Sequence, residues 1–254
     1  MINQLRVFDS HLHIIDRRFP LVPNDRFIPD EFTCADYLAR TSKFRLQGGA
    51  IVSGSFQAFD QSYLEDALKK LGPSFVGVTQ LPSSVSDKEI MRLNELGVRA
   101  LRFNLRRGGS EEKSHLDSMA RRAYEIANWH VELYVDSRDL SGLFSTLTAL
   151  PSVSIDHFGL SKIGFSTLLK LVERGIRVKA TGFSRVDFDI RHAIKDIYSA
   201  NPQSLMFGTD LPSTRAPSPY TDRDLMLLVD SVDPNLVTAI LETNAVEFYR
   251  PMVK

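Results

Sequence analysis

The chain has 254 residues, enough for one large α/β barrel or two small domains, with a substantial buried core. Lysine plus arginine equals aspartate plus glutamate at 31 each, and the resulting zero net charge argues against non-specific binding to nucleic acid or to an acidic membrane. The single cysteine, Cys34, excludes an intrachain disulfide and fits a reducing, cytoplasmic compartment, and no apolar run reads as a signal peptide or a membrane span.

The first predicted strand is Arg6–Ile15, and it carries His11 and His13 two residues apart. Alternation along a strand puts both imidazoles on one face and Leu12 on the other. Two imidazoles side by side are costly in a dry core and useful where a metal, a water or an anion is bound. A Pro-rich loop, Arg17 to Pro29, follows. Thr33 then caps a predicted helix running to Leu46, which Gly48-Gly49 stops before a second strand at residues 50–54. Ser62–Leu71 reads as a helix ended by Gly72-Pro73, and residues 75–80 as the third strand. Ser86 caps a helix at residues 87–96, with Glu89 at the capping-box position, before a fourth strand at residues 98–105.

The rhythm continues with a helix at residues 113–128, a strand at 131–135, a short helix at 140–150 and a strand at 153–157. A helix at 165–174, a strand at 176–181, a helix at 188–200 and an eighth strand at 205–210 follow, and helical stretches at 222–232 and 234–249 complete the chain. Eight strands alternating with helices predict a single α/β domain, residues 1–254, folded as a (β/α)8 TIM barrel. A doubly wound open sheet is the rival, but the Gly-rich first turn that often marks it is absent.

Barrel sites lie at the C-terminal ends of the strands. Polar residues gather there: His11 and His13, Arg102 and Asn104, Tyr134 and Asp136, His157, Lys179 and Thr181, and Asp210. Interior positions of a packed barrel are usually Val, Ile or Leu, and idle buried charge is expensive, so this convergence predicts a site. Lys179 has two readings, pairing with Asp210 or substrate, or neutralising acids in a polar layer of the barrel. His115, His130 and His192 fall away from the site face and read as structural, while Phe27, Phe56 and Phe59 read either as pocket walls or as core.

Asp-Ser-His-Leu-His on the first strand, Gly97 to Asn104, Asp156-His157-Phe158-Gly159, Val178 to Gly182 and Gly208-Thr209-Asp210-Leu211-Pro212 resemble the amidohydrolase superfamily. More narrowly they resemble its branch of lactonases related to 2-pyrone-4,6-dicarboxylate lactonase, and the closing Asn244 to Tyr249 is similar to that branch's ending. In metal-dependent members of the superfamily the strand-one histidines, a strand-five histidine and the strand-eight aspartate hold a divalent ion. His11, His13 and Asp210 match, but Tyr134 stands where the strand-five histidine would be, and phenol is a poor ligand near neutral pH.

The resemblance therefore implies a metal-independent hydrolase of a carboxylated lactone or similar cyclic ester. Asp210 would be the general base, with His11, His13 and His157 polarising the carbonyl. Arg102 and Tyr134 match the branch's substrate-contacting pair, and Arg106, Arg107 and Arg185 are further cationic candidates for a small carboxylated substrate. Leu160 stands where the branch has an arginine, which removes one clamp. No cofactor is expected. The alternatives are a divalent metal such as Zn²⁺ on His11, His13 and Asp210, serving an amidohydrolase or decarboxylase, and a non-enzymatic acid-binding barrel. No nucleic-acid or membrane partner is expected, and a homo-oligomer is left open.

Overall fold

A computed structural model of the chain describes residues 2–252. Its centre is one eight-stranded parallel sheet in which neighbours in space are neighbours in sequence. The strands are β1 (Arg6–Leu12), β2 (Arg45–Val52), β3 (Phe75–Thr79), β4 (Val98–Asn104), β5 (His130–Tyr134), β6 (Val153–Ile155), β7 (Arg177–Ala180) and β8 (Leu205–Phe207). Around them run α1 (Cys34–Thr41), α2 (Ser62–Leu71), α3 (Asp87–Glu95), α4 (Leu116–Ala127), α5 (Phe144–Ala149), α6 (Phe165–Glu173), α7 (Ile190–Ala200), α8 (Asp222–Val229) and α9 (Asn244–Tyr249). The ring closes where the end of β8 meets β1: Asp210 N–H donates to His11 O at 2.7 Å and His13 N–H to Leu211 O at 2.8 Å. This is the predicted (β/α)8 barrel.

Parity along the strands builds two cores. Outward residues such as Val7, Ile51, Leu101, Leu133 and Val178 pack against the helices. Inward residues Phe8, Ala50, Val52, Val76, Val78, Ala100 and Met206 form a second cluster with Ala245 and Tyr249 of α9. That helix thus plugs the N-terminal end of the barrel. Above the plug the interior of β5–β7 is polar rather than aliphatic: Glu132, Ser154 and Lys179 are all fully buried.

Several predicted boundaries shift. The first helix ends at Thr41 rather than Leu46, because Arg45 and Leu46 pair with Arg6 and Val7 in the sheet. Gly48 and Gly49 lie inside β2 rather than before it. At Gly48 a Cβ would stand 2.1 Å from the Ser74 carbonyl oxygen, so the sheet needs glycine where local pattern suggests a break. Glu89 pairs with Arg92 instead of completing a capping box, although Ser86 caps α3 as expected. Residues 137–142 form a 3₁₀ turn before the short α5, and the 234–249 stretch divides into a 3₁₀ turn, a π turn and α9. β1, β6 and β8 stop before His13, His157 and Asp210. His157 and Asp210 take left-handed backbones with φ of 51° and 60°. Non-glycine residues rarely adopt that region, and here it turns both side chains off their strands into the barrel mouth.

Candidate active site

The site is assembled on the closing seam. Gly208 approaches β1 so closely that a Cβ would lie 2.7 Å from His11 N, and this contact brings the residues after β8 against the histidine strand. As a result Asp210 Oδ1 stands 3.8 Å from both His11 Nε2 and His13 Nε2. The His11 ring lies 5.0 Å from that of His13 and 4.9 Å from that of His157, and His157 meets Tyr134 edge-on at 5.2 Å. Arg185 Nε donates to Asp210 Oδ2 at 2.8 Å, while Oδ1 is buried and has no hydrogen-bond partner among the described residues. Burial pushes the Asp210 carboxyl above its ordinary range, and the Arg185 guanidinium acts against that rise.

All three imidazoles are neutral. Burial pushes His13 down to about 3, and burial with nearby cations holds His11 and His157 well below the usual histidine range. His13 Nδ1 lies 2.7 Å from the Val52 carbonyl oxygen, which can only accept. His13 therefore carries its proton on Nδ1 and shows the pocket a bare Nε2. His157 Nδ1 pairs with Thr181 Oγ1 at 2.8 Å.

Beneath these groups lies a dry layer of charge. Arg102 Nη2 donates to Asp156 Oδ2 at 2.9 Å, and Lys179 Nζ donates to Glu132 Oε2 at 2.5 Å and lies 3.5 Å from Asp156 Oδ1. Tyr249 of the plug donates to Glu132, and His130 Nε2 sits 3.1 Å from the same carboxylate. Two cations thus face two carboxylates, and the layer balances. Arg102 borders the pocket above and keeps Nε and Nη1, both buried, without a partner among the described residues.

The amidohydrolase family profile matches residues 8–250 of the chain. The chain belongs to the amidohydrolase family. A 2-pyrone-4,6-dicarboxylate hydrolase of Comamonas testosteroni is 31% identical over 156 residues, a match that covers 59% of this chain and only 51% of that protein's length. A 4-sulfomuconolactone hydrolase of Rhizobium radiobacter is 23% identical across 90% of this chain and 84% of its own. A Pseudomonas putida structure described as a candidate 2-pyrone-4,6-dicarboxylic acid hydrolase superposes with a TM-score of 0.82 at 25% identity, covering 98% of each chain. An Acinetobacter baumannii structure of the same description, with citric acid bound, gives 0.84 at 21% identity, over 97% of this chain and all of that one. This amidohydrolase is accordingly a hydrolase by family, on the barrel already described.

Amidohydrolases often use a metal, and ligand atoms of His11, His157 and Asp210 come within 4.8 Å of one another. Position alone would suit a cation. The surrounding charge does not: Arg185 already neutralises Asp210, and the Lys179 ammonium, 3.2 Å from His11 Nδ1, takes the ring lone pair on that side. A ring lone pair committed to Lys179 would leave the proton on Nε2, the atom a pocket metal would need bare. These two cations weigh against a resident divalent ion on the three residues.

The structure brings His13, His157, Asp210, Arg102, Tyr134, Arg107 and Arg185 to one narrow pocket, with Phe27 and Phe56 among its walls. His11 lies under its floor, fully buried. Arg106 is exposed and borders an adjoining outer recess instead, and Phe59 is 41% exposed. Lys179 is a correction as a substrate contact: it is wholly buried in the charged layer, below Asp210 and out of reach of the pocket. The pairing of Lys179 with Asp210 is likewise replaced by Glu132 and Asp156. Sequence reasoning missed Glu132, whose alternation with Tyr134 on β5 would have marked it as inward. It also missed Arg215, which reaches the pocket from the loop after β8 and has no spacing signal.

Proposed function

We propose that this amidohydrolase opens a small carboxylated lactone by adding water across its ester bond, without a metal. The observation that carries the reading is the divided carboxylate of Asp210, with one oxygen anchored by Arg185 and the other bare beside two histidines. A water held in that gap can donate one hydrogen to Asp210 Oδ1 and the other to His13 Nε2, which turns its lone pair toward a substrate carbonyl. As the water oxygen attacks, its proton passes to Asp210, and the carbonyl oxygen becomes an oxyanion. His11 Nε2, beneath the floor and 3.8 Å from Asp210 Oδ1, adds a donor to the field in which that charge develops. Collapse breaks the ring C–O bond, and the leaving oxygen takes the proton from Asp210, so water is consumed and the base is restored. His13 thereby serves as an acceptor for water rather than as a carbonyl donor, and His157 packs between His11 and Tyr134.

The cation-rich walls support an anionic substrate. Arg102, Arg107 and Arg215 border the same pocket. Arg215 supplies a cation near the recess bordered by Leu160, where the resembling branch carries arginine. The hydrolases of 2-pyrone-4,6-dicarboxylate and 4-sulfomuconolactone among the relatives favour the same substrate class. We place the activity in the cytoplasm on the single free Cys34, and no helix among the described residues is long and apolar enough to cross a membrane.

The second reading, a metal-dependent hydrolase or decarboxylase, is favoured by the family, whose members often use a metal, and by the proximity of His11, His157 and Asp210. One experiment separates the two. Purified protein is dialysed against a chelator and assayed on pyrone and muconolactone acids alongside neutral sugar lactones. Turnover of the acids that survives chelation supports the proposal. Activity that disappears and returns with Zn²⁺ or Mn²⁺ refutes it, as does turnover confined to the neutral lactones.

A further inference from the structure

Among the described residues, Lys179 is the buried cation that the reaction above does not use directly. It sits at the centre of the charged layer with no exposure, and three acceptor atoms surround its ammonium: Glu132 Oε2 at 2.5 Å, His11 Nδ1 at 3.2 Å and Asp156 Oδ1 at 3.5 Å. An ammonium has three donors and no acceptor. Whatever stands within hydrogen-bond distance of it must offer a lone pair. On His11 that atom is Nδ1, and a neutral imidazole with a lone pair on Nδ1 carries its proton on Nε2.

We propose that Lys179 is a positioning residue that fixes the tautomer of His11. It holds the proton on Nε2, so that His11 points a donor at the pocket floor and withholds the lone pair a divalent metal would bind.

The competing arrangement would put the proton on Nδ1 and aim it at Asp156 Oδ1. That oxygen is 3.4 Å away, and it has no hydrogen-bond partner among the described residues. A proton there would also point at the ammonium. Lys179 cannot swing clear, because Glu132 holds it, and Glu132 is fixed in turn by Tyr249 from the C-terminal plug and by His130. The two strand-one histidines are thus set to opposite tautomers by their inner partners. The Val52 carbonyl accepts from His13 and leaves its Nε2 bare, while Lys179 donates to His11 and leaves its Nε2 protonated. One can accept from water while the other turns a donor toward the floor beside Asp210. The tautomer follows from the contacts alone, and only its catalytic use rests on the hydrolase reading.

The decisive measurement is two-dimensional NMR of protein labelled with ¹⁵N-histidine, with the His11 signal identified by its loss in His11→Asn. The expected pattern is a neutral ring protonated on Nε2 throughout about pH 6–8, the range in which an ordinary histidine titrates. A proton on Nδ1 overturns the proposal, whether or not the protein hydrolyses any lactone. Lys179→Met removes the donor and keeps most of the volume. In that variant the proton should leave Nε2 for Nδ1, and Zn²⁺ affinity measured by calorimetry should rise by roughly 10–100-fold, the usual effect of a group that orients a metal-binding histidine. An unchanged tautomer and unchanged zinc affinity in a folded Lys179→Met also overturn it. Should that variant fail to fold, the wild-type spectrum still decides.

Discussion

Asp210 keeps one carboxylate oxygen on Arg185 and one free, and the two substitutions that disturb this division should read out differently. Asp210→Asn keeps the shape and removes the base, so kcat on an accepted lactone should fall by about 10²–10⁴, the usual worth of a positioned proton acceptor, with KM moving far less. A variant within threefold of wild type would remove Asp210 from the chemistry. Arg185→Met leaves the base and takes away its stabilising charge. Burial already pushes the carboxyl up and Arg185 pulls it down, so without Arg185 it must rise further. Activity requires the ionised form and is lost as pH falls through this value, so the acid limb of the kcat/KM profile should move to higher pH. A limb that stays in place or moves down would show that another group controls it. At this scale the sequence revealed the residue types, because two histidines at strand spacing and an acid after the eighth strand carry their own signal. It could not reveal protonation. Which nitrogen of His11 or His13 bears the hydrogen depends on Lys179 and the Val52 carbonyl, whose positions come from other strands.

The elements matter through the seam and through one loop. Gly208 has no room for a side chain against His11, so Gly208→Ala should force the end of β8 away from β1. Overpacking of this kind costs about 1–3 kcal/mol, seen as a lower thermal midpoint, and it should depress kcat as well because it separates Asp210 from both histidines. Full activity in Gly208→Ala would mean that the seam does not set the site. The loop after β1 reaches back over the pocket at residues 24–27, where Asn24 and Phe27 exchange backbone hydrogen bonds across a tight turn with Asp25 and Arg26 at positive φ. Arg215 donates to Asn24 Oδ1 at 2.9 Å and stacks over Phe27 at 4.4 Å, while Asn24 Nδ2 donates to the Arg107 carbonyl. Asn24→Ala should release this strap without touching the histidines, raising KM several-fold and leaving kcat within about twofold. A kcat loss with constant KM would argue that the loop acts on chemistry instead. The alternation of strands and helices was legible because periodicity is local. The strap, the glycines inside β2 and the early end of α1 were not, because each is settled by a distant partner: Arg215, Ser74 and the pairing with Arg6 and Val7.

Taken as a whole, the molecule keeps its charge balanced by burying ionisable groups in specified states, and this sets how stability should vary with pH. His11, His13 and His157 are neutral in the fold because burial disfavours their charged forms, His13 being pushed down to about 3. In the unfolded chain each takes a proton near pH 6.5. Below that pH the unfolded state binds more protons than the folded one, so the stability these groups allow is present above about pH 6.5 and is lost as pH falls toward their folded values. Two buried carboxyls oppose the loss. Burial pushes Asp9 up to about 6 despite hydrogen bonds from Thr209, His11 and Tyr37, and Asp210 is also raised. Each keeps its proton to higher pH in the fold than in the unfolded chain, and so opposes the loss on acidification. His130, buried and likewise held below the ordinary histidine range, adds to the loss, so the histidines outweigh the two carboxyls as pH falls. The urea midpoint should therefore fall on acidification from pH 7 to 5. In Asp9→Asn, which removes one opposing proton, it should fall more steeply from whatever value it has at pH 7. A midpoint that is flat or rises on acidification would show that the histidines are already charged in the folded barrel, and the neutral tautomers on which the hydrolytic reading depends would fail with it.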